Sequence, residues 1–150
     1  MTKSILISCV LLLGITLNFK LKSSTEPNPT TETSGIIFFH GTLVEAKAKA
    51  NKENKLLFID CFTTWCGPCK SMSKKIFTQK EVGDYYNKNF ICLKMDMELA
   101  EGMSVQEKYG VEAYPTYLFI DSKGNIKHRD LGYIDAKKFI EVGKSALLKK

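Results

Sequence analysis

The chain has 150 residues, the length of one domain, and its 44% apolar and 25% charged residues are typical of a globular protein with a hydrophobic core. Its formal net charge of +6 includes three lysines that precede the predicted domain, and without them 19 basic side chains stand against 16 acidic ones. The remaining basic residues form no stripe and include one arginine, Arg129, so the sequence argues against a nucleic-acid partner.

Residues 1–22 have the pattern of a targeting segment. Lys3 gives a positive start, and the 15 residues from Ile5 to Phe19 are mostly apolar. This stretch is shorter than the roughly 20 residues that span a membrane, and it suits the apolar region of a signal peptide. No A-x-A cleavage site follows, so an uncleaved membrane anchor and lipidation at Cys9 stay open as alternatives. All three place the rest of the chain outside the cytoplasm.

A polar segment, SSTEPNPTTETSG, follows at residues 23–35. It is rich in Ser, Thr, Pro and Glu and has no large apolar side chain, so it cannot bury enough surface to order itself. We predict a flexible linker here and a folded domain over residues 36–150.

The first part of this domain alternates between strand and helix signals. Residues 35–42 are a short apolar run that could form an edge strand. Residues 43–55 show helical spacing, with Glu45 and Lys49 placed to form an i,i+4 ion pair. Residues 56–62 are apolar at almost every position, which predicts a central strand covered on both faces. A helical pattern then follows the cysteine pair.

Capping boxes predict two further helix starts, one at Thr78 with Glu81 and one at Ser104 with Glu107. A second buried strand, residues 90–97, lies between them. The predicted fold therefore continues to alternate between helix and strand along the chain.

The strand–helix alternation stops near the end of the domain, where two predicted strands follow each other directly. Gly110 ends the preceding helix, residues 115–121 form a third strand, and an SKGN turn leads into residues 126–132. Asp135 caps a final helix. The order β-α-β-α-β-α-β-β-α predicts an α/β fold with a mixed sheet and helices on both faces.

The stretch FTTWCGPCKSM places Cys66 and Cys69 where a strand ends and a helix begins. Residue 66 falls at the helix N-terminus, where free backbone N–H groups and the helix dipole stabilise a thiolate, the reactive form of cysteine. Pro68 suits the first helical turn. Cys69 lies on the apolar stripe of the helix and should point inwards, whereas Cys66 should stay exposed at the rim. An exposed attacking sulfur beside a sheltered partner is suited to thiol–disulfide exchange.

Two other interpretations of the pair are weaker. As a structural staple, a four-residue loop stabilises by only about 2 kcal/mol, against nearly 5 kcal/mol for a long loop. As a zinc site, the pair needs two more ligands. The remaining candidates lack ligand spacing: Cys61, Cys92, His40 and His128. We therefore predict that the pair is redox-active, and that Cys61 and Cys92 are small buried apolar residues.

The motif WCGPCK at residues 65–70, the acid six residues before its first cysteine, and KYGVEAYPT at 108–116 resemble thioredoxin. The lysine-rich first helix and the longer segment before KYGV are more similar to the extracytoplasmic thioredoxin-like thiol–disulfide interchange proteins. The resemblance covers residues 40–148. It implies a thioredoxin fold, with a central mixed β-sheet flanked by helices on both faces.

The resemblance also implies catalytic roles. Cys66 would attack a substrate disulfide and Cys69 would resolve the mixed disulfide. Asp60 would take a proton from the second thiol. A carboxylate inside an apolar strand should have a raised pKa, unless it lies at a frayed edge in contact with solvent. Thioredoxins have a lysine near this acid, but the corresponding position here is Cys92, and whether Lys94 replaces that lysine is left open.

The same resemblance implies a substrate groove. Pro115 would be a cis-proline whose loop receives the substrate backbone. Trp65 and Tyr114 would frame the groove, although an aromatic side chain at such a position can also serve packing alone. The other predicted substrate-binding residues belong to the same two motifs: Gly67, Pro68 and Thr116.

The sequence thus predicts a protein-disulfide oxidoreductase that acts as a reductase outside the cytoplasm, in the periplasm, secreted or tethered to a membrane. Its partners would be disulfide-containing proteins and, as electron donor, a membrane thiol transporter; no metal, flavin or nucleotide cofactor is implied. A disulfide isomerase or oxidase is the alternative, because a tyrosine before Pro115 also occurs in protein disulfide isomerase. A thioredoxin-shaped binding module without turnover is the third possibility.

Overall fold

The computed structural model describes residues 34–150. The predicted targeting segment at 1–22 and all but the end of the predicted linker at 23–35 lie outside the described residues. Gly35, the last residue of that linker, is buried, and its carbonyl accepts a hydrogen bond of 3.0 Å from Asn87 Nδ2. The packed domain therefore includes Gly35. No helix in the described part of the chain has the length and apolar content needed to cross a membrane.

Four strands form one mixed sheet in the order β2-β1-β3-β4. β1 runs parallel to β2 and antiparallel to β3, and β3 is antiparallel to β4. The first three strands are buried on both faces because nearly every side chain in them is apolar. The strand bounds are Leu56–Phe62 for β1, Phe90–Asp96 for β2, Thr116–Ile120 for β3 and Ile126–Leu131 for β4.

Within residues 34–150, five α-helices are present, and helices cover the sheet on both faces, as predicted. α1 and α4 contribute to the core on one face, and α3, α5 and residues 72–77 contribute to the core on the other. A π-helical turn, Met72–Ile76, follows α2 directly. The helix bounds are Leu43–Lys52 for α1, Gly67–Ser71 for α2, Lys80–Asn89 for α3, Ala100–Tyr109 for α4 and Ala136–Leu147 for α5.

The two faces of the sheet have chemically different cores. The α3/α5 face is aromatic, and the rings of Tyr86 and Phe139 stack with their centroids 4.5 Å apart. The α1/α4 face is aliphatic and includes Ile59 and Leu118. The backbone of β1 and β3 separates the two cores, so these strands fix where the loops at the sheet's edge emerge.

The predicted edge strand at residues 35–42 is wrong. Phe38 makes only an isolated parallel bridge with Cys92, and the residue before it bonds to another element. The Ile37 N–H donates to the Asn87 side chain at 2.8 Å, and the Phe39 N–H donates to the Cys92 carbonyl at 2.7 Å. Because these hydrogen bonds go to different elements, no continuous ladder forms.

Both predicted capping boxes are also wrong. The Thr78 hydroxyl donates at 3.0 Å to the Lys74 carbonyl of the preceding turn, and α3 begins after Gln79 without a side-chain cap. Ser104 lies inside α4, where its hydroxyl donates at 3.1 Å to the Ala100 carbonyl. In each case the hydroxyl bonds backwards along the helix, which the sequence pattern does not distinguish from a cap.

The predicted Glu45–Lys49 pair is replaced by two other contacts. Glu45 completes a capping box with Thr42 at the start of α1. Lys49 pairs instead with Glu53 at 2.6 Å. The remaining boundary signals are confirmed: Gly110 ends α4 at φ 60°, and the Asp135 side chain caps α5.

Candidate active site

Cys66 and Cys69 form a disulfide at the N-terminus of α2, with their Cα atoms 5.3 Å apart. Cys66 is the N-cap residue, and its sulfur accepts a hydrogen bond of 3.1 Å from the Cys69 N–H. Pro68 occupies the first turn of α2, where no backbone N–H is needed. The local sequence therefore places the Cys66 sulfur against the positive end of a helix.

The two cysteines are buried to the same extent in this disulfide state. Each is only 3% exposed, so the expectation that Cys66 stays exposed at the rim is wrong for the oxidised protein. The reason is geometric: the Cys66 sulfur turns towards Cys69, with which it bonds covalently and from whose N–H it accepts. Cys69 points inwards as predicted. Gly67 and Pro68 form the exposed top of the turn.

Trp65 is held in an exposed position next to the disulfide. Its side chain is 65% exposed, and its Nε1–H donates to Glu98 Oε1 at 3.0 Å. Its ring lies edge-on to that of Tyr114, with a centroid distance of 5.9 Å. The Tyr114 hydroxyl in turn donates to Gln106 Oε1 in α4 at 2.9 Å. The two predicted aromatic residues thus lie together and are braced by α4.

The Tyr114–Pro115 peptide bond is cis, as predicted. The loop is fixed on both sides, because the Pro115 carbonyl accepts from the Gly132 N–H at 2.8 Å. The Thr116 hydroxyl donates to the Ala113 carbonyl at 2.7 Å and is buried. Thr116 thus holds the loop in shape, and its hydroxyl is already engaged by the chain itself.

Asp60 lies on β1 and is buried, with 1% of its side chain exposed. Lys94 on β2 is its partner in strand register, and Lys94 Nζ lies 2.7 Å from Asp60 Oδ2. Burial raises the pKa of Asp60, and the charge and hydrogen bond of Lys94 offset only part of that rise. Lys94 therefore occupies the place of the expected lysine. Cys92 instead faces the aromatic core opposite Phe58.

Two contacts of Lys94 were not predicted from the sequence. Lys94 Nζ donates to Ser73 Oγ at 2.7 Å, and it lies 4.5 Å from the centre of the Phe62 ring. Ser73 belongs to the π-helical turn and follows Cys69 by four residues. The sequence did contain a signal for Ser73, because it is a polar residue on the inner side of the helix that carries the cysteines. Ser73, Lys94 and Cys69 line a common cavity of about 290 Å³.

The other cysteines of the described chain are separate from this site. Cys61 and Cys92 are free and buried, as predicted, and burial raises the pKa of both thiols. Within residues 34–150 no three His, Cys, Asp or Glu side chains are grouped so that they could hold a metal ion.

These features define a class of protein. A disulfide lies at a helix N-terminus, a cis-proline loop contacts the adjoining Trp65 through Tyr114, and a buried carboxylate pairs with the lysine of the Cys69 cavity; all are set on a mixed four-stranded sheet with helices on both faces. This is the architecture of a thioredoxin-like thiol–disulfide oxidoreductase.

Comparison with known proteins agrees with this class. A family model described as a thioredoxin-like domain matches residues 43–147. A thioredoxin from Echinococcus granulosus is 38% identical over 84 residues, which cover 56% of this chain and 73% of that protein. The thiol:disulfide interchange protein DsbD from Colwellia psychrerythraea is 27% identical over 146 residues, which cover 91% of this chain but only 24% of DsbD. The chain belongs to the thioredoxin-like family.

Two solved structures are similar over the same region. A Bacteroides thetaiotaomicron protein, proposed to be a disulphide-isomerase, is 47% identical with a TM-score of 0.70, and the match covers 79% of this chain and 98% of that one. The oxidised C-terminal domain of Neisseria meningitidis DsbD is 25% identical with a TM-score of 0.60, and the match covers 75% of this chain and 99% of that one.

Proposed function

We propose that the protein is a reductase of protein disulfides that acts outside the cytoplasm. In its reduced form, the Cys66 thiolate attacks one sulfur of a substrate disulfide and releases the other substrate sulfur as a thiol. Cys69 then attacks the Cys66 sulfur, closes the Cys66–Cys69 disulfide and releases the second substrate thiol. Two electrons pass to the substrate, and its two sulfurs take up one proton from solvent and the Cys69 proton that Asp60 relays, so that the protein leaves oxidised.

The other site residues serve proton transfer and substrate binding. Ionised Asp60 accepts the Cys69 proton during resolution, and its raised pKa makes it a stronger proton acceptor than an ordinary aspartate. Pro115 receives the substrate backbone on its cis loop. Trp65 and Tyr114 form the exposed aromatic wall beside the sulfurs, with Gly67 and Pro68 at the top of the turn and Thr116 supporting the loop.

The observation that carries this proposal is the position of the disulfide. Cys66 caps a helix, so the thiolate released on reduction is stabilised by the Cys69 N–H and by the helix dipole. A disulfide so placed, next to exposed Trp65 whose ring contacts Tyr114 of the cis-proline loop, combines a stabilised leaving group with a surface for a second chain. A purely structural disulfide would need neither a stabilised leaving group nor a surface for a second chain.

Regeneration requires an electron donor. The similarity to DsbD, a thiol:disulfide interchange protein, supports a membrane thiol transporter in this role and a location outside the cytoplasm. The apolar stretch from Ile5 to Phe19 supports export, as a signal peptide or a tether.

Trapping tests the reaction directly. In the Cys69→Ser variant the mixed disulfide cannot resolve, so reductant-sensitive covalent complexes with disulfide proteins should accumulate on Cys66. The matched Cys66→Ser variant should trap none. Absence of complexes with both variants would contradict the proposal and would favour a binding module without turnover.

A disulfide isomerase is the second candidate, because the Bacteroides thetaiotaomicron protein with 47% identity has been proposed to have that activity. Equilibration with glutathione buffers separates the two. A reduction potential near about −270 mV supports a reductase, whereas one near about −180 mV supports an isomerase. Refolding of a substrate with scrambled disulfides provides the independent check, since only an isomerase should accelerate it catalytically.

A further inference from the structure

Two grooves flank the Cys66–Cys69 turn on opposite sides of the sheet. The first, which we call the α4 groove, has a volume of about 500 Å³ and runs between Trp65 and α4. The second, which we call the lysine groove, is the cavity of about 290 Å³ beside Cys69. Thr63 lines both, so the two grooves approach each other at the segment between β1 and the active-site turn.

The α4 groove combines an apolar surface with negative charge. Trp65, Tyr114 and two methionines, Met97 and Met103, supply the apolar surface, and Met103 is 55% exposed. Glu98 and Glu107 supply two carboxylates. Flexible methionine side chains adapt to different apolar partners, so this surface suits an apolar side chain of variable shape.

The two carboxylates are available to a partner. Glu98 is fixed in position, because its oxygens accept from Trp65 Nε1 at 3.0 Å and from the Thr64 hydroxyl at 3.3 Å. These neutral donors leave its negative charge in place. Neither Glu98 nor Glu107 forms an ion pair with a basic side chain of the described residues. The groove therefore presents uncompensated negative charge beside an apolar floor.

The lysine groove has the opposite charge. Lys70, Lys74 and Lys94 line it, and of these only Lys94 has a carboxylate partner within the described chain, Asp60. A peptide that crosses the active-site turn therefore meets negative charge on one side and positive charge on the other. Such an arrangement fixes the orientation of a charged segment.

We propose that the α4 groove binds the segment of the substrate protein that flanks its reactive cysteine, when that segment carries an apolar residue and a Lys or Arg. The apolar side chain packs on Trp65 and Met103, and the cation pairs with Glu98 and Glu107. The lysines across the turn repel the same segment in the reverse orientation. This inference rests on the proposed function and names the substrate class of the same site.

Peptides that differ at one residue test the charge preference. Each contains one intramolecular disulfide, with a leucine and one variable residue next to the first cysteine: Lys, Gln or Glu. The reduced full-length protein should reduce the Lys peptide about fivefold faster than the Gln peptide, and the Glu peptide more slowly still, in kcat/KM. The differences should shrink as salt is added, because the contact is exposed.

Variants locate the contact. Glu107→Gln should lower the preference for the Lys peptide over the Glu peptide about threefold to fivefold, and Glu107→Lys should invert it. Glu81→Gln is the matched control, because Glu81 is an exposed glutamate at the start of α3 and lines neither groove. It removes the same charge and should leave the preference unchanged.

The outcomes that would overturn the inference are distinct from those that would overturn the proposed function. Equal rates for the three peptides, or equal effects of Glu107→Gln and Glu81→Gln, would exclude charge selection by the α4 groove while the reductase activity stands. Failure to reduce any peptide, together with no trapping by Cys69→Ser, would exclude both.

Discussion

The Asp60–Lys94 pair is the most unusual contact in the sheet. A carboxylate with 1% exposure loses nearly all of its hydration, and one ammonium at 2.7 Å does not replace it fully. The second oxygen, Oδ1, has no hydrogen-bond partner within the described residues. Burial is therefore the largest influence on the pKa of Asp60 and raises it.

This raised pKa has a consequence for stability. Between the ordinary pKa of about 4 and the folded-state value, the folded protein holds a proton that the unfolded chain has released. The stability that Asp60 contributes is therefore present at low pH and is lost as the pH rises through the folded-state pKa.

We expect Asp60→Asn to remove this loss. At pH 8 the oxidised variant should exceed the wild type in free energy of unfolding, because the amide carries no charge that burial would penalise. The gain should diminish towards pH 4, and denaturant unfolding at several pH values measures it. A difference that does not vary with pH would contradict the assignment of the raised pKa to Asp60.

Ser73 should affect the reaction through Lys94. Ser73→Ala removes one of the two acceptors of the ammonium, which is 28% exposed and can then turn towards solvent. The pKa of Asp60 should rise further, so a smaller fraction of Asp60 is ionised and able to accept the proton; resolution of the mixed disulfide should slow by a few-fold and recover as the pH is raised. Rapid quenching with mass spectrometry measures the resolution rate.

Ser71→Ala is the control for this experiment, because Ser71 ends the same helix but makes no hydrogen bond with Lys94. A slower rate in both variants, or a loss in Ser73→Ala that is independent of pH, would indicate general disturbance of the helix.

For single residues, the sequence predicted those properties that depend on the neighbouring residues in the chain. An acid in an apolar run predicted the raised pKa of Asp60. The local pattern also predicted Cys66 at the helix start, although its predicted exposure is wrong for the disulfide. The partner of Asp60 could not be predicted, because the β1–β2 register that brings Lys94 opposite it is set by the whole sheet. Ser73 was missed because its partner, Lys94, comes from β2, a contact that the local sequence does not indicate.

At the scale of elements, the strands were predicted well because three of them are continuous apolar runs. Helix starts were predicted less well, because Ser104 and Thr78 bond to the carbonyl four residues earlier. The segment at 35–42 was taken for a strand because its composition is apolar. Its side chains do pack on the domain, but its backbone meets several elements in turn.

Two helical glycines lie so close to neighbouring elements that an added Cβ would overlap an atom of the neighbour. Gly102 in α4 lies against the end of β2, and an added Cβ would overlap the Asp96 carbonyl. Gly143 in α5 faces the Tyr85 ring, with 2.8 Å between an added Cβ and Cε1. The first neighbour is backbone and cannot yield locally, whereas the second is a side chain that can rotate.

Gly102→Ala should therefore lower the free energy of unfolding by about 3 kcal/mol or more. Gly143→Ala should change it by no more than about 1 kcal/mol, because the gain in helix propensity offsets the repacking of Tyr85. Denaturant unfolding of both variants provides the comparison. Equal effects would mean that α4 can move away from β2 as readily as Tyr85 can rotate.

At the scale of the whole molecule, the two cores share their central strands. Cys61 on β1 lies in the aliphatic core, and Cys92 on β2 lies in the aromatic core. Each strand forms part of the wall of both cores, so loss of one core removes the support of the other. We therefore expect the domain to unfold as one unit.

The two free thiols can report on this cooperativity. Burial raises the pKa of both, so neither should react with an alkylating reagent while the domain is folded. In the oxidised protein under increasing denaturant, Cys61 and Cys92 should become labelled at the same midpoint, and this midpoint should equal that of circular dichroism. Mass spectrometry of the separate peptides measures each site. Labelling of Cys92 at lower denaturant than Cys61 would show instead that the α3/α5 face opens by itself, a motion that would also loosen the π-helical turn behind Cys69.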